Sequence, residues 1–194
     1  MAIVMHWLWL SLLFIGTGLA LGRSPAMLIK NMLPAYFTAL GTMSSAATIP
    51  VALQASKNNG VSDGIANFTV PLCATIHLCG STITLVTCAT AVMFLSEHLA
   101  IPGYGTMLPF IMMLGVIMIA APGAPGGGVM SALGLLTSML GFGEASIALM
   151  IALYLAQDSF GTACNVTGDG VIALWADRFA QSEAPLAAPE RDAA

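Results

Sequence analysis

Asp158, Thr162, Asn165 and Asp169 follow one another at intervals of four, three and four residues inside the apolar stretch 147–175. On an α-helix those intervals place all four side chains on one stripe. An acidic side chain at bilayer depth costs about 2.5 to 3.5 kcal/mol on insertion scales, so two of them call for a positive charge close by. The basic residues Arg23, Lys30, Lys57, Arg178 and Arg191 all lie between or beyond the apolar segments. With no arginine or lysine inside the hydrocarbon, the expected counter-charge is a dissolved cation, sodium or a proton. The chemistry predicted is reversible cation binding.

Holding such a stripe at depth requires membrane helices, and the composition supplies them. Hydrophobic residues make up 58% of the 194 residues and charged residues 7%, with a mean hydropathy of +0.90. These values belong to a multi-pass integral membrane protein. A net charge of -4 without a basic patch argues against nucleic acid as a partner. Cys73, Cys79, Cys88 and Cys164 show no CxxC spacing and sit inside apolar runs, so they read as buried thiols rather than disulfides or zinc ligands. The first apolar run has no basic leader and continues into further membrane segments, so it reads as a span and not a cleaved signal.

Residues 1–22, 65–97 and 145–176 are each long enough to cross about 30 Å of hydrocarbon. The runs 25–57 and 104–141 are too long for one untilted crossing and are interrupted near their middles. One break reads Gly41-Thr42-Met43-Ser44-Ser45-Ala46-Ala47-Thr48-Ile49-Pro50, the other Ala120-Ala121-Pro122-Gly123-Ala124-Pro125-Gly126-Gly127-Gly128. Arms of about 16 residues fall short of the roughly 20 that a crossing needs, so each run is expected to dip to mid-membrane and return as a re-entrant hairpin. The predicted fold is an all-α membrane protein with three membrane-spanning helices, one of them unwound mid-span, plus two re-entrant helical hairpins. All basic residues then fall on one face, which makes it cytoplasmic and puts the C-terminus there. Residues 1–178 form the membrane unit, and the Ala/Pro/Glu-rich segment 179–194 is expected to be a disordered cytoplasmic tail.

The unwound span breaks at His77-Leu78-Cys79-Gly80-Ser81. Non-helical backbone at that depth survives only where it is buried in protein or lines a polar cavity, and broken helices of this kind point to a transporter's binding site. At these breaks the chain resembles the dicarboxylate/amino acid:cation symporter family, the glutamate-transporter-like sodium symporters. The resemblance is carried by Ser44-Ser45-Ala46-Ala47-Thr48-Ile49-Pro50, Ile65-Ala66-Asn67-Phe68 through Pro71-Leu72, Gly123-Ala124-Pro125-Gly126, and Thr162 through Asn165-Val166-Thr167-Gly168-Asp169. It covers about residues 5 to 180 and corresponds to the C-terminal transport core of such a protein. The chain therefore reads as incomplete, and as a homotrimer if full length.

The resemblance implies a secondary active transporter, not an enzyme, with no cofactor beyond its coupling ions. It would carry an amino acid or related carboxylate with sodium (or protons) by alternating access. It implies substrate contacts at Ser44, Ser45, Ser81, Ala124, Gly126, Asp158, Gly161, Thr162 and Asn165. Asp158 would take the amino group, and the serines, Thr162 and Asn165 the carboxylate. One sodium ion would be held by the Asp169 carboxylate and the backbone at Cys73, His77 and Asn165. A second would sit mainly on backbone at Thr75, Met118, Ile119 and Ala121. The family's Asn-Met-Asp-Gly-Thr motif reads here His77-Leu78-Cys79-Gly80-Ser81, which implies fewer coupled sodium ions and makes His77 a candidate proton carrier. The arginines that serve acidic substrates fall at Gly161 and Met43. With no guanidinium for a bidentate clamp, a neutral substrate is expected, and Gly161→Arg is expected to admit acidic ones.

Two other classes fit parts of this pattern. A channel also uses carbonyl-lined breaks. An intramembrane aspartyl protease also uses two aspartates, but its pair sits about 3 Å apart, whereas eleven residues along one helix separate Asp158 from Asp169 by about 16 Å.

Overall fold

The computed structural model describes residues 1–183. Those residues form nine helices: α1 (Ala2–Leu21), α2 (Pro25–Thr42), α3 (Ser45–Asn58), α4 (Asp63–Ile76), α5 (Cys79–Leu95), α6 (Tyr104–Met118), α7 (Gly127–Leu140), α8 (Glu144–Leu155) and α9 (Asp158–Glu183). The all-α expectation holds. By length and composition α1 and the pair α4–α5 can each cross a membrane, and the bent pair α8–α9 makes a third span. α2 packs on α3 and α6 on α7, giving the two hairpins.

Local sequence explains most of the boundaries. Proline at the first position and an extended Ser24 start α2, where a missing N–H costs nothing. The first hairpin turns at Met43–Ser44, and the Ser44 side chain accepts a hydrogen bond from the Ala47 N–H at 3.2 Å to cap α3. Pro50 therefore lies inside α3 and does not make the turn. Between α4 and α5 the chain leaves helical geometry at His77 (φ -112°, ψ 83°) and Leu78 (φ -109°, ψ 46°). The amides this exposes at the start of α5 are met from another helix. Asn165 Oδ1 accepts from Gly80 N at 2.7 Å and Ser81 N at 3.2 Å, so a side chain on α9 serves as the cap of α5.

The last span departs from the sequence expectation by breaking at Ala156–Gln157 with a bend of 57°. No proline or glycine marks the place. The ladder slips there to a three-residue spacing, with Gln157 N donating to Tyr154 O at 2.9 Å and Phe160 N to Gln157 O at 3.1 Å. Gln157 Nε2 reaches across to Cys88 Sγ on α5 at 3.4 Å. α9 then runs beyond the expected end of the membrane unit, because Trp175 stacks on Phe179 at 5.8 Å and Gln181 bonds Asp177 at 2.7 Å. Of the expected tail, residues 179–183 are thus helical, and 184–194 lie outside the described residues.

The buried apolar side chains form two separate cores. One gathers Leu10 and Phe14 of α1, Met32 and Ala35 of α2, Ala52 of α3, Val70 of α4 and Ala163 through Leu174 of α9. The other gathers Leu85 and Val92 of α5, Phe110 of α6, Val129 and Leu136 of α7, and Met150 and Tyr154 of α8. Each broken span gives one half to each core, so both breaks lie on the seam between them.

At the rim of the first core Asp177 ties α9 to the start of α4. It accepts from Ser62 N at 3.1 Å and from the Ser62 hydroxyl, and it is 4% exposed. Asp177→Ala leaves those donors unmet at a cost of about 1 to 3 kcal/mol. A fall of several degrees in the thermal unfolding midpoint in detergent is expected, with Asp177→Asn intermediate. An unchanged midpoint for the alanine variant would remove Asp177 from the account of how α9 is anchored. The nearby Lys57–Asp63 pair, 3.1 Å apart with Asp63 largely exposed, contributes under about 1 kcal/mol.

Candidate functional site

α9 begins at Asp158, so the whole stripe stands on one unbroken helix. All four members are buried: Asp158, Thr162, Asn165 and Asp169 are 3%, 4%, 1% and 1% exposed. The two hairpin tips meet over the first three of them. The Ser44 hydroxyl donates to Gly123 O at 2.9 Å, and Ala46 N donates to the same carbonyl at 3.3 Å. Met43 at the first tip holds φ 50°, a left-handed conformation that costs a non-glycine residue about 1 to 2 kcal/mol. The second tip touches the stripe directly, because Gly126 N donates to Asp158 Oδ2 at 2.7 Å.

Between tips and stripe lies a cavity of about 10 Å³, the room of a single water. Met43, Ser45, Pro122, Gly123 and Ala124 of the tips form its roof. Leu78 and Ser81 of the α4–α5 break, Gly128, Tyr154 and the three stripe residues Asp158, Thr162 and Asn165 complete the wall. Ser45, Ser81, Ala124, Asp158, Thr162 and Asn165, all expected at the substrate site, are thereby brought together. Ser44 and Gly126 join them through the tip contacts.

Gly161 does not line this cavity. It lies against α5, where an added Cβ would stand 2.9 Å from Thr84 Oγ1 and 3.4 Å from both Gly80 O and Ser81 N. Across the contact, a Cβ at Gly80 would overlap Gly161 O and Cys164 Cβ. The two glycines let α5 and α9 approach backbone to backbone. His6 of α1 seals the place, its Nε2 lying 3.0 Å from Gly80 O and 3.1 Å from Thr84 Oγ1.

The fourth stripe residue faces a different neighbour. Asp169 Oδ1 lies 2.8 Å from His77 Nδ1 at the α4–α5 break. Sequence reasoning gave His77 a backbone role at sodium and made it a candidate proton carrier, while seeking a basic partner for the aspartates among lysines and arginines alone. That search left out a partner: the ring of His77 itself meets Asp169. The break brings it there, because leaving helical geometry at residue 77 turns that side chain toward α9.

Beside this pair α4 ends, presenting carbonyls at the negative end of its dipole. The Cys73 carbonyl accepts from His77 N at 2.9 Å. The second tip closes on the same helix end, since a Cβ at Gly123 would stand 2.7 Å from Ala74 O. Met118 at the end of α6 and Ala121 beyond it are buried, and Ile119 between them is exposed. The Thr75 hydroxyl bonds back to Leu72 O at 2.9 Å. Among the described residues no group of three or more His, Cys, Asp or Glu gathers as a transition metal would need. A carboxylate with helix-terminal carbonyls is instead a hard oxygen set, the kind that coordinates sodium at broken helices. Cys73, Cys88 and Cys164 are buried and Cys79 half-buried, all as free thiols.

Tyr154 escaped sequence reasoning, although it stands one helical turn before Asp158. Its aromatic ring reads as apolar bulk in a membrane span, and only the four-residue interval to Asp158 signals a place in the site.

Comparison with known proteins gives a consistent answer. The sodium:dicarboxylate symporter family matches residues 1–179. The chain is 32% identical over 151 residues to excitatory amino acid transporter 1 of Rattus norvegicus, covering 77% of this chain and 27% of that one. It is 30% identical over 152 residues to excitatory amino acid transporter 5 of Homo sapiens, covering 78% and 27%. An excitatory amino acid transporter of Caenorhabditis elegans is 29% identical over 154 residues, covering 77% and 29%. The chain thus spans 27 to 29% of the length of these relatives. With its two re-entrant hairpins, its broken spans and a family match that reaches from its first residue to the last turns of α9, this chain belongs to the sodium:dicarboxylate symporter family.

Proposed function

We propose that this chain is the substrate- and ion-binding core of a sodium-coupled symporter for a neutral amino acid or related small carboxylate, working by alternating access. The observation that carries this reading is the contact from Gly126 N to Asp158 Oδ2 at 2.7 Å. It supports the reading because the second hairpin tip occupies an oxygen of the carboxylate that a substrate ammonium group would take. A substrate amine and the tip amide compete for that oxygen. Loading the site therefore requires the second hairpin to lift, and closure over a substrate requires that its own polar groups satisfy Asp158.

The substrate carboxylate then falls to the Ser45 and Thr162 hydroxyls and the Asn165 amide. Sodium at Asp169 and the α4 carbonyls neutralises the second acid of the stripe and stiffens the break against which the substrate lies. Among the described residues no arginine lines the cavity, which supports a neutral side chain. The basic ends of the helices, with Arg23 between α1 and α2, Lys57 at the end of α3 and Arg178 near the end of α9, support a cytoplasmic placement of those ends and of the C-terminus.

The test is uptake by the full chain in proteoliposomes. An inward sodium gradient should drive accumulation of radiolabelled L-alanine and should leave L-aspartate largely outside. Conductance without solute accumulation would favour a channel and overturn symport.

A further inference from the structure

We propose that the cleft between the end of α1 and the end of α9 holds the phosphate of an anionic phospholipid, gripped by Arg23 and Arg178, with an acyl chain laid along α1. A cavity of about 190 Å³ opens there, and Leu21, Arg23, Leu174, Asp177, Arg178 and Gln181 line it. Its charged groups are two guanidiniums and one carboxylate. The carboxylate is already engaged: Asp177 Oδ1 accepts from Ser62 N and the Ser62 hydroxyl, and Oδ2 accepts from Gln181 Nε2 at 2.7 Å. Neither arginine pairs with a carboxylate among the described residues. Arg23 gives one N–H to Asn59 O and keeps its other donors, while Arg178 is exposed beside the cavity. The guanidinium fork matches a phosphate bidentately, and basic pockets between membrane helices take such headgroups. A zwitterionic headgroup would bring an ammonium to a wall whose one carboxylate is bonded three times, so the chemistry selects an anionic lipid.

Two further features point to a lipid rather than to a free phosphate. About one turn before Arg178 on α9 and before Leu21 on α1, Trp175 Nε1 donates to Thr17 Oγ1 at 3.0 Å, and the Trp175 ring stacks on the exposed Phe179. Tryptophan at a helix end marks the boundary between hydrocarbon and headgroups, which sets the cavity at headgroup level. On the hydrocarbon side, Leu8, Leu12, Ile15 and Leu19 follow at intervals of four, three and four residues, and all are exposed. They form one apolar stripe, about 16 Å long, close to half of the roughly 30 Å hydrocarbon thickness and so the depth of one leaflet. The stripe ends one residue before Ala20, which also lines the cavity. A lipid with its phosphate between the two arginines therefore has a lane for its chain.

The site stands apart from the symport reading, and its test needs no uptake. The experiment is thermal unfolding of the delipidated full chain in neutral detergent, titrated with dioleoylphosphatidylglycerol, with dioleoylphosphatidylcholine and with inorganic phosphate. Phosphatidylglycerol should raise the wild-type midpoint by several degrees at saturation, and neither of the others should match it at equal concentration. Arg178→Gln, an exposed substitution that should fold, is expected to raise the half-saturating concentration about tenfold or more, the loss that goes with a charged hydrogen-bonding partner. Arg23→Gln should do the same from a lower starting midpoint, since it also gives up Asn59 O. Lys30→Gln, at an exposed residue of α2 outside the cavity, should leave the titration unchanged. Equal stabilisation by phosphatidylcholine, an equal loss in Lys30→Gln, or no shift with phosphatidylglycerol in wild type overturns the headgroup site. A shift with inorganic phosphate as large as with the lipid, and weakened by Arg178→Gln, overturns the lipid assignment in favour of a soluble phosphate.

Discussion

Asp169→Asn is expected to abolish sodium-dependent uptake at ordinary sodium concentrations. The side chain is 1% exposed and its Oδ1 meets His77 Nδ1 at 2.8 Å. Asparagine keeps the shape and one acceptor for the imidazole, so the α4–α5 break should hold its geometry and the variant should fold. What it loses is the single full negative charge at the end of α4. A hydrogen bond to a charged group contributes about 1.5 to 3 kcal/mol, which converts to roughly a 10- to 100-fold loss in apparent sodium affinity. The measurement is the sodium dependence of uptake in proteoliposomes, compared with sodium-protected thermal unfolding of the same preparation. Transport with an unaltered sodium requirement would sink the assignment of Asp169 as the coupling carboxylate. His77→Asn serves as the companion variant: it removes the ring and keeps the charge, so sodium should still be required.

The second large effect is expected at Gly161, with a sign opposite to that suggested by the sequence. Resemblance alone makes Gly161→Arg a route to acidic substrates. The structure puts the new Cβ 2.9 Å from Thr84 Oγ1, an oxygen already tied to Gly80 O at 3.0 Å and to His6 Nε2 at 3.1 Å. Neither a threonine in that network nor the α5 backbone is a flexible tip that can yield cheaply. Alanine at 161 should cost about 1 to 3 kcal/mol by overpacking. Arginine drives a longer, charged side chain into the same close contact with α5, and the variant should lose its folded, monodisperse fraction in detergent. Size-exclusion profiles and thermal unfolding of Gly161→Ala and Gly161→Arg report this directly. A well-folded arginine variant that gains inhibition by aspartate would show that α5 and α9 part easily and would restore the simpler reading.

These two residues also show what could and could not be read in the chain. Hydropathy and the glycine, proline and serine clusters are local signals, and they sufficed for an all-helical protein with three spans and two hairpins. The spacing of Asp158, Thr162, Asn165 and Asp169 is local too, and one continuous helix carries it. The partner of Asp169 is not local, because His77 lies 92 positions away and reaches it only through a break whose direction no periodicity encodes. The bend at Ala156–Gln157 leaves no trace in residue type. It is set by tertiary partners, the Gly126 amide on Asp158 and Cys88 beside Gln157. Gly161 looked like a missing arginine because motif comparison is blind to which face of α9 meets α5. Asn165 has partners that are not local either: its Oδ1 caps α5 at Gly80 and Ser81, and its Nδ2 donates to Ser81 Oγ at 2.9 Å.

The division of the apolar interior into two cores bears on how the chain is made. The core that holds α1 through α4 is lined on one side by Ala163, Cys164, Val166, Val171, Ala173 and Leu174, all from α9. Helices α1 through α4 must therefore wait in the lipid, incompletely packed, until α9 is inserted. The other core draws on α5 through α8 and can assemble from consecutive helices during that wait. A nascent chain halted before Asp158 would carry a closed core of α5 through α8 beside an open one of α1 through α4.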